Sequence, residues 1–246
     1  CHSLTAKLYF YQGRLRSAAE RFAETTERSL RRPGGAWRAW GPFGQAEVAL
    51  CLGGTPDATL QRWVDLGSHW MTEMMNIDTA YALRRFGLSA RLAWRQGDVE
   101  RAREAVLGGV AAATRFTHCG FWAHEGFAGI GEVLLQLRTR EQQVGGATAP
   151  LDAAWRAFER RLAAHGERFP AGHALVHRLR GEAAHALGRR DDARRWLERA
   201  VHAAETQGLR VELARSCAAL GRVGAPQDGR WHERATRLWQ EMGAAG

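Results

Sequence analysis

Lysine is all but missing from this chain of 246 residues: Lys7 stands alone against 34 arginines. A phosphate-binding P-loop places a lysine directly after its glycines, and nothing of the form GxxxxGK[ST] surrounds Lys7, so the chain is not itself a P-loop ATPase. Cysteine is sparse and scattered. Cys1, Cys51, Cys119 and Cys217 form no CxxC pair, which excludes a disulfide framework and reads as reduced thiols in a cytoplasmic protein. No apolar run approaches the ~18 residues that a membrane-spanning helix needs, so no membrane partner is expected. Val/Ile/Thr-rich alternation is also lacking, and with it any convincing strand. Isoleucine occurs twice (Ile77, Ile130) and asparagine once (Asn76), whereas Ala, Arg and Gly abound. That bias suggests GC-rich codons, in which arginine is the default surface cation. The net charge of +9 is therefore weak ground for a nucleic-acid partner.

What is there is helical. Leu4, Leu8 and Tyr11 recur at helical spacing, as do Leu15, Ala18, Ala19 and Phe22, and the chain breaks at Arg31–Gly35, Gly53–Pro56, Gly97–Asp98, Arg138–Pro150, Gly188–Arg189 and Gly221–Gly229. About twelve helices with short connections follow, an all-α chain. The breaks repeat. Tyr9, Gly13, Ala18 and Phe22 recur as Ala46, Ala49, Gly53, Ala58; as Ala90, Ala93, Gly97, Ala102, Val106; and as Gly181, Ala184, Gly188, Ala193, Leu197, Ala200. Gly131 and Leu134 with Arg138, and Ala214 and Cys217 with Gly221, make weaker copies, so the turns fall at 13, 53, 97, 138, 188 and 221. Such a period means stacked antiparallel helix pairs, about six of them, forming an α-solenoid. Small residues let the paired backbones approach, glycine supplies the left-handed C-cap, and Asp98 and Asp191 suit the N-termini of second helices. One domain over 1–246 is expected, with a weaker division into 1–137 and 150–246 around an irregular loop. A start at Cys1 with helical sequence directly after it reads as a piece of a longer protein.

These positions resemble the tetratricopeptide repeat, most closely over ALVHRLRGEAAHALGRRDDARRWLERA (174–200) and less so from Ala90 to Val106. The stretches GFWAHEGFAGIGEVLLQL (120–137) and RFPAGHALVHRLRGEAAHALGRRDDARRWLERAVHAAETQGL (168–209) are similar to the C-terminal helical repeats of large bacterial signalling ATPases, which join a nucleotide-cyclase or Ser/Thr-kinase domain to an NTPase. The resemblance implies a right-handed superhelix serving as a regulatory, signal-transduction segment, its catalytic domains lying upstream.

Side chains with reactive chemistry do not assemble into a catalytic set. His118, Cys119, His124 and Glu125 are dense, but metal ligands on one helix want i,i+3 or i,i+4 spacing, and His124 is five or six residues from the first two. His173 and His177 have that spacing without a third ligand, and no GxSxG elbow occurs. No enzyme, metal or cofactor is expected. Ten tryptophans are many for the length, with Trp63, Trp155 and Trp196 at positions that pack between repeats.

The repeat register instead points to the concave face of the first helices. It presents Lys7 and Phe10; Glu47 and Leu50; Arg84, Arg91, Trp94 and Arg95; Glu125, Glu132 and Gln136; then Arg178, Glu182 and His185. The resemblance makes this face the peptide-binding groove. Basic-aromatic around Arg91 and Trp94 and acidic around Glu125 and Glu132, it suits a protein or peptide partner, or another domain of the same chain. The expected function is a non-catalytic sensor or scaffold module acting through protein–protein interaction. Its rivals are a small-molecule sensor using Trp94, Phe121, Trp122 and the histidines, and a nucleic-acid surface on Arg189, Arg190, Arg194, Arg195 and Arg199.

Overall fold

The computed structural model describes residues 2–31, 36–72, 79–115, 120–224 and 229–244. Over these it is all-α, with twelve α-helices and no strand. They are α1 (His2–Tyr11), α2 (Leu15–Arg31), α3 (Trp40–Leu52), α4 (Asp57–Thr72), α5 (Thr79–Arg95), α6 (Val99–Arg115), α7 (His124–Gln143), α8 (Ala149–Arg168), α9 (His173–Ala186), α10 (Arg190–Thr206), α11 (Arg210–Val223) and α12 (Arg230–Glu241). No helix of the described residues is long and apolar enough to cross a membrane. Short 3₁₀ turns at Ala36–Ala39, Phe121–Ala123 and Pro170–Gly172 lead into α3, α7 and α9.

The helices alternate in character. α7 buries thirteen of its twenty residues, from His124 to Arg138, and α3 buries Gly41–Gly44 and Ala46–Ala49. Helices apolar on every side must lie inside. α10, by contrast, buries only Ala193, Leu197, Ala200, Val201 and Ala204, a single stripe at i, i+4, i+7, i+8 and i+11. The odd-numbered helices pack in sequence, α1 on α3, α3 on α5, then α7, α9 and α11, and α11 returns to touch α1. Each even-numbered helix packs against the helix before it.

Turn chemistry at Gly13, Gly97 and Gly188 follows from their φ of 76°, 76° and 73°. In each, the glycine N–H and the following N–H donate back to the helix, as in Gly97 N to Trp94 O (3.0 Å) and Asp98 N to Ala93 O (2.9 Å), a Schellman closure. Asp98 then accepts from Arg101 N at 3.1 Å, capping α6. Two expected turn positions lie within helices. Arg138 lies within α7, which runs on to Gln143 and turns at Gly145; its guanidinium binds Asp152, Gln142 and the Ala186 carbonyl. Gly221 lies in the last turn of α11, which ends at Val223, so the α11–α12 break comes after it but within the expected Gly221–Gly229, and a further turn falls at Gly208. Smallness is what Gly221 supplies: a Cβ there would stand 2.8 Å from the His232 ring of α12.

Two contacts shape the interior. α5 and α7 meet backbone to backbone at Gly87, Gly126 and Gly129, where a Cβ on Gly126 would come within 2.4 Å of the Leu83 carbonyl carbon. At the closure, Met242 beyond α12 fits under Gly13, where a Cβ would lie 2.6 Å from its sulfur. One buried cluster accordingly unites Phe10, Tyr11 and Phe22 of the first pair with Val211, Leu220, Ala235 and Met242 of the last. A second runs unbroken from Ala80 of α5 to Ala183 of α9.

Candidate functional site

The inner face of the odd-numbered helices carries charge, and the charges answer one another. On α1, α3 and α5, Lys7 Nζ donates to Glu47 Oε2 at 2.9 Å, and Arg84 grips the same carboxylate twice, at 2.7 and 2.9 Å. All three residues are 4% exposed or less. Beyond them six side chains close a cycle of alternating sign. Arg178 holds Glu132 (2.8 Å), Glu132 accepts from Arg91 (2.9 Å), and Arg91 reaches Glu125 (3.4 Å). Glu125 accepts from Arg215 (3.2 Å), Arg215 donates to Glu212 (2.9 Å), and Glu212 returns to Arg178 (2.9 and 3.2 Å). Glu182 is a branch, lying between Arg178 at 3.4 Å and Arg222 at 2.8 Å. Lys7, Arg84, Arg91, Arg178, Arg215 and, at the edge, Arg222 thus face Glu47, Glu125, Glu132, Glu182 and Glu212.

This arrangement fixes the protonation states. Burial pushes the Glu212 carboxyl up, but Arg178 and Arg215 outweigh it and hold it down to about 2. Glu125 is likewise held well below the usual carboxylate range, burial being overcome by Arg215, Lys7 and Arg91. Glu182 is the exception: burial prevails over Arg178 and Arg222, and its carboxyl is raised. Two buried histidines sit beside the network. His124 and His165 lie with ring centroids 6.0 Å apart among Tyr11, Phe121, Phe127 and Phe169, and no nitrogen of either has a hydrogen-bond partner among the described residues. Burial lowers both, His165 to about 3.

His124, Glu125 and Glu212 bring potential ligand atoms within 4.8 Å of one another. Both Glu212 oxygens and Glu125 Oε2 already accept from guanidinium groups. A dication would also meet Lys7 and Arg215, whose fields oppose charge on His124. Glu125 Oε1 and both His124 nitrogens are buried without a hydrogen-bond partner among the described residues, beside an ion-pair junction of alternating charge. His118 and Cys119 lie outside the described residues. His173 and His177 stack at 6.4 Å, and His177 stacks in turn on Trp196 at 5.4 Å, so this pair belongs to the α9–α10 packing.

Of the residues that the repeat register assigns to the concave groove, Trp94, Glu132, Gln136, Arg178, Glu182 and His185 line one open pocket, while Lys7, Phe10, Arg84 and Glu125 are buried. Lys7, Phe10, Arg84, Glu125 and Arg178 are each 4% exposed or less, with Arg178 reaching the base of that pocket, and the last helix pair packs against the first beside Phe10. Arg91, Glu132 and Glu182 are largely buried in the same network. Arg95 points the other way, to Asp57 (2.8 Å) and the Thr55 carbonyl (3.2 Å) at the α3–α4 turn. Trp94 and His185 remain accessible, at a mouth formed where α3, α5, α7, α9 and α11 end. There an open pocket of about 1310 Å³ is lined by Trp94, Gln136, Arg140, His185, Arg222 and Trp239, among others, with Glu132, Arg178 and Arg215 as its floor. An adjoining recess of about 230 Å³ has Leu50, Cys51, Val133, Trp94 and Trp239 on its walls.

Sequence reasoning missed Glu212, Arg215, Cys51 and Trp239. A signal was present for Glu212 alone: it follows Arg178 by 34 residues, as Glu125 follows Arg91, so opposite charges recur at one spacing. Cys51, whose Sγ lies 3.6 Å from Arg215 Nη2, and Trp239 carried none. No protein-family model, curated protein or solved structure matches the chain.

Proposed function

We propose that the chain is a non-catalytic, TPR-like helical-repeat module of six stacked helix pairs, a cytoplasmic regulatory segment of a larger bacterial signalling protein, whose input is a small molecule held at the mouth. The pocket walled by Trp94 and Trp239 carries this reading. Partly apolar concavities with a few polar groups are what small ligands use. An extended peptide in the concave groove is the weaker reading, since the inner face is already occupied by its own ion pairs. The carboxylates and histidines in the interior serve structure here, being bonded to guanidinium groups or packed among rings.

Melting curves across a library of small metabolites test the proposal. A ligand that binds the folded form alone raises the melting temperature in a saturable way, and the rise should vanish in Trp94→Ala and Trp239→Ala. Stabilisation that survives both substitutions, or capture of a discrete protein whose binding ignores them, would contradict it.

A further inference from the structure

We infer that the recess between Trp94 and Trp239 binds a flat, uncharged heteroaromatic ring of nucleobase size, a deepening that rests on the small-molecule reading above. Four observations converge. The first is the state of the two indoles. Trp40, Trp122, Trp155 and Trp196 each lie against another ring, and Trp70 and Trp231 each carry a guanidinium over the face. Trp94 and Trp239, like Trp37 and Trp63, have no such partner among the described residues, and of these four only Trp94 and Trp239 line the recess. Two indoles on the walls of one recess suit a planar ligand, because base–aromatic stacking needs only a π face.

The second observation is size. The recess of about 230 Å³ corresponds to roughly seven or eight waters at ~30 Å³ each, the room taken by a one- or two-ring system. The third is charge. The ionic groups on its floor and wall, Arg91, Glu132 and Arg215, are already bonded into the alternating cycle. An ionic ligand would find its counter-charge taken, whereas a neutral one leaves the cycle intact. The fourth is the edge chemistry. The Gln136 amide, which offers both donors and an acceptor, lines the recess and has no hydrogen-bond partner among the described residues. Leu50 and Val133 complete the wall on the apolar side. A ring with alternating donors and acceptors along its edge satisfies all four; a neutral saturated ring lacks the stacking face and the edge, and an aromatic hydrocarbon lacks the edge.

The experiment is isothermal titration of the full chain with adenine and uracil, beside benzyl alcohol (aromatic, without a ring donor–acceptor edge) and cyclohexanol (not aromatic). The bases should bind at least ten-fold more tightly than benzyl alcohol, and cyclohexanol more weakly still. Trp94→Ala and Trp239→Ala should each weaken the bases by about 5- to 150-fold, the range that stacking losses span. Gln136→Leu, a change at an exposed side chain that leaves the fold alone, should bring the bases down to the level of benzyl alcohol. Trp196→Ala, remote from the recess, should change nothing. Equal binding of cyclohexanol and the bases overturns the inference. So does a screen in which only charged or saturated metabolites stabilise the protein through Trp94 and Trp239, although the small-molecule reading then stands. If no compound stabilises the chain through either tryptophan, both fall together.

Discussion

Arg178→Met probes the ion cycle at its most connected point. Arg178 is 1% exposed and touches three carboxylates: Glu212 through two bonds, Glu132 at 2.8 Å and Glu182 at 3.4 Å. Methionine keeps much of the aliphatic stem, so little of the loss comes from a cavity. The cost comes from stranding buried negative charge, and removing one partner of a buried pair costs about 3–5 kcal/mol. At roughly 2–4 °C per kcal/mol for a chain of this size, the melting temperature should fall by about 6–20 °C. Acid supplies a second signature. In the wild type, Glu212 lies at about 2, below its unfolded value, so its contribution is present above that unfolded value and lost as pH falls through about 2. Without Arg178, burial raises the carboxyl, and the freed groups take up protons well before the wild type does. The deficit of the variant should therefore be greatest at pH 7 and narrow as pH is lowered. Adding Glu212→Gln should recover part of the loss, with a coupling of about 0.5–3 kcal/mol between the two sites. Urea and thermal melts followed by circular dichroism read all three quantities. A melting temperature within 2 °C of the wild type (roughly 1 kcal/mol or less) would show the guanidinium to be solvated, and the reasoning would fail.

The remaining expectations concern packing and titration. His165, at about 3 when folded against an ordinary 6.5, is protonated first in the unfolded chain. Stability is full above pH 6.5 and falls by about 1.4 kcal/mol per unit toward pH 3, so about 2 kcal/mol is lost between pH 7 and 5; urea titrations of His165→Leu should show that loss removed, and an unchanged pH slope would count against it. Gly126→Ala drives a methyl into the α5 backbone and should cost about 1–3 kcal/mol or more by overpacking, measured as a shift in the denaturation midpoint. Arg91→Ala should lower stability by freeing Glu125 and Glu132, whereas Trp94→Ala, at the half-open mouth, should leave the midpoint within about 1.5 kcal/mol of the wild type while altering ligand binding; comparable losses in both would contradict the distinction.

Much of this fold could be read from the sequence because its determinants are local. The glycines at 13, 97 and 188 announce their turns through the one conformation they tolerate better than other residues, and Asp98 marks a helix start because its carboxylate reaches an N–H three residues on. Gly221 and Arg138 misled for an equally physical reason. Smallness at a helix crossing and flexibility at a turn call for the same residue, and a buried arginine that binds a carbonyl at the end of α9 occupies the register of a turn. The candidate site was legible by position but not by state. Register placed Lys7, Arg84, Glu125 and Arg178 on one inner face; that all four are buried, and that Met242 meets Gly13 across 229 residues, no repeat pattern encodes. Trp239 reaches the mouth through that same closure.

Whether the interior is a sealed ion cycle or an open groove decides where any ligand enters, and proton exchange at arginine Nε reports it directly. In Arg84 and Arg178 the Nε–H groups donate to Glu47 and Glu212 inside the protein, whereas Arg195 stands exposed on α10. Nitrogen-detected resonances of Arg84 and Arg178 should persist in slow exchange at neutral pH, with the Arg195 signal lost to solvent. Exchange as fast at Arg84 and Arg178 as at Arg195 would mean that water reaches the inner face, and that the face is a groove after all.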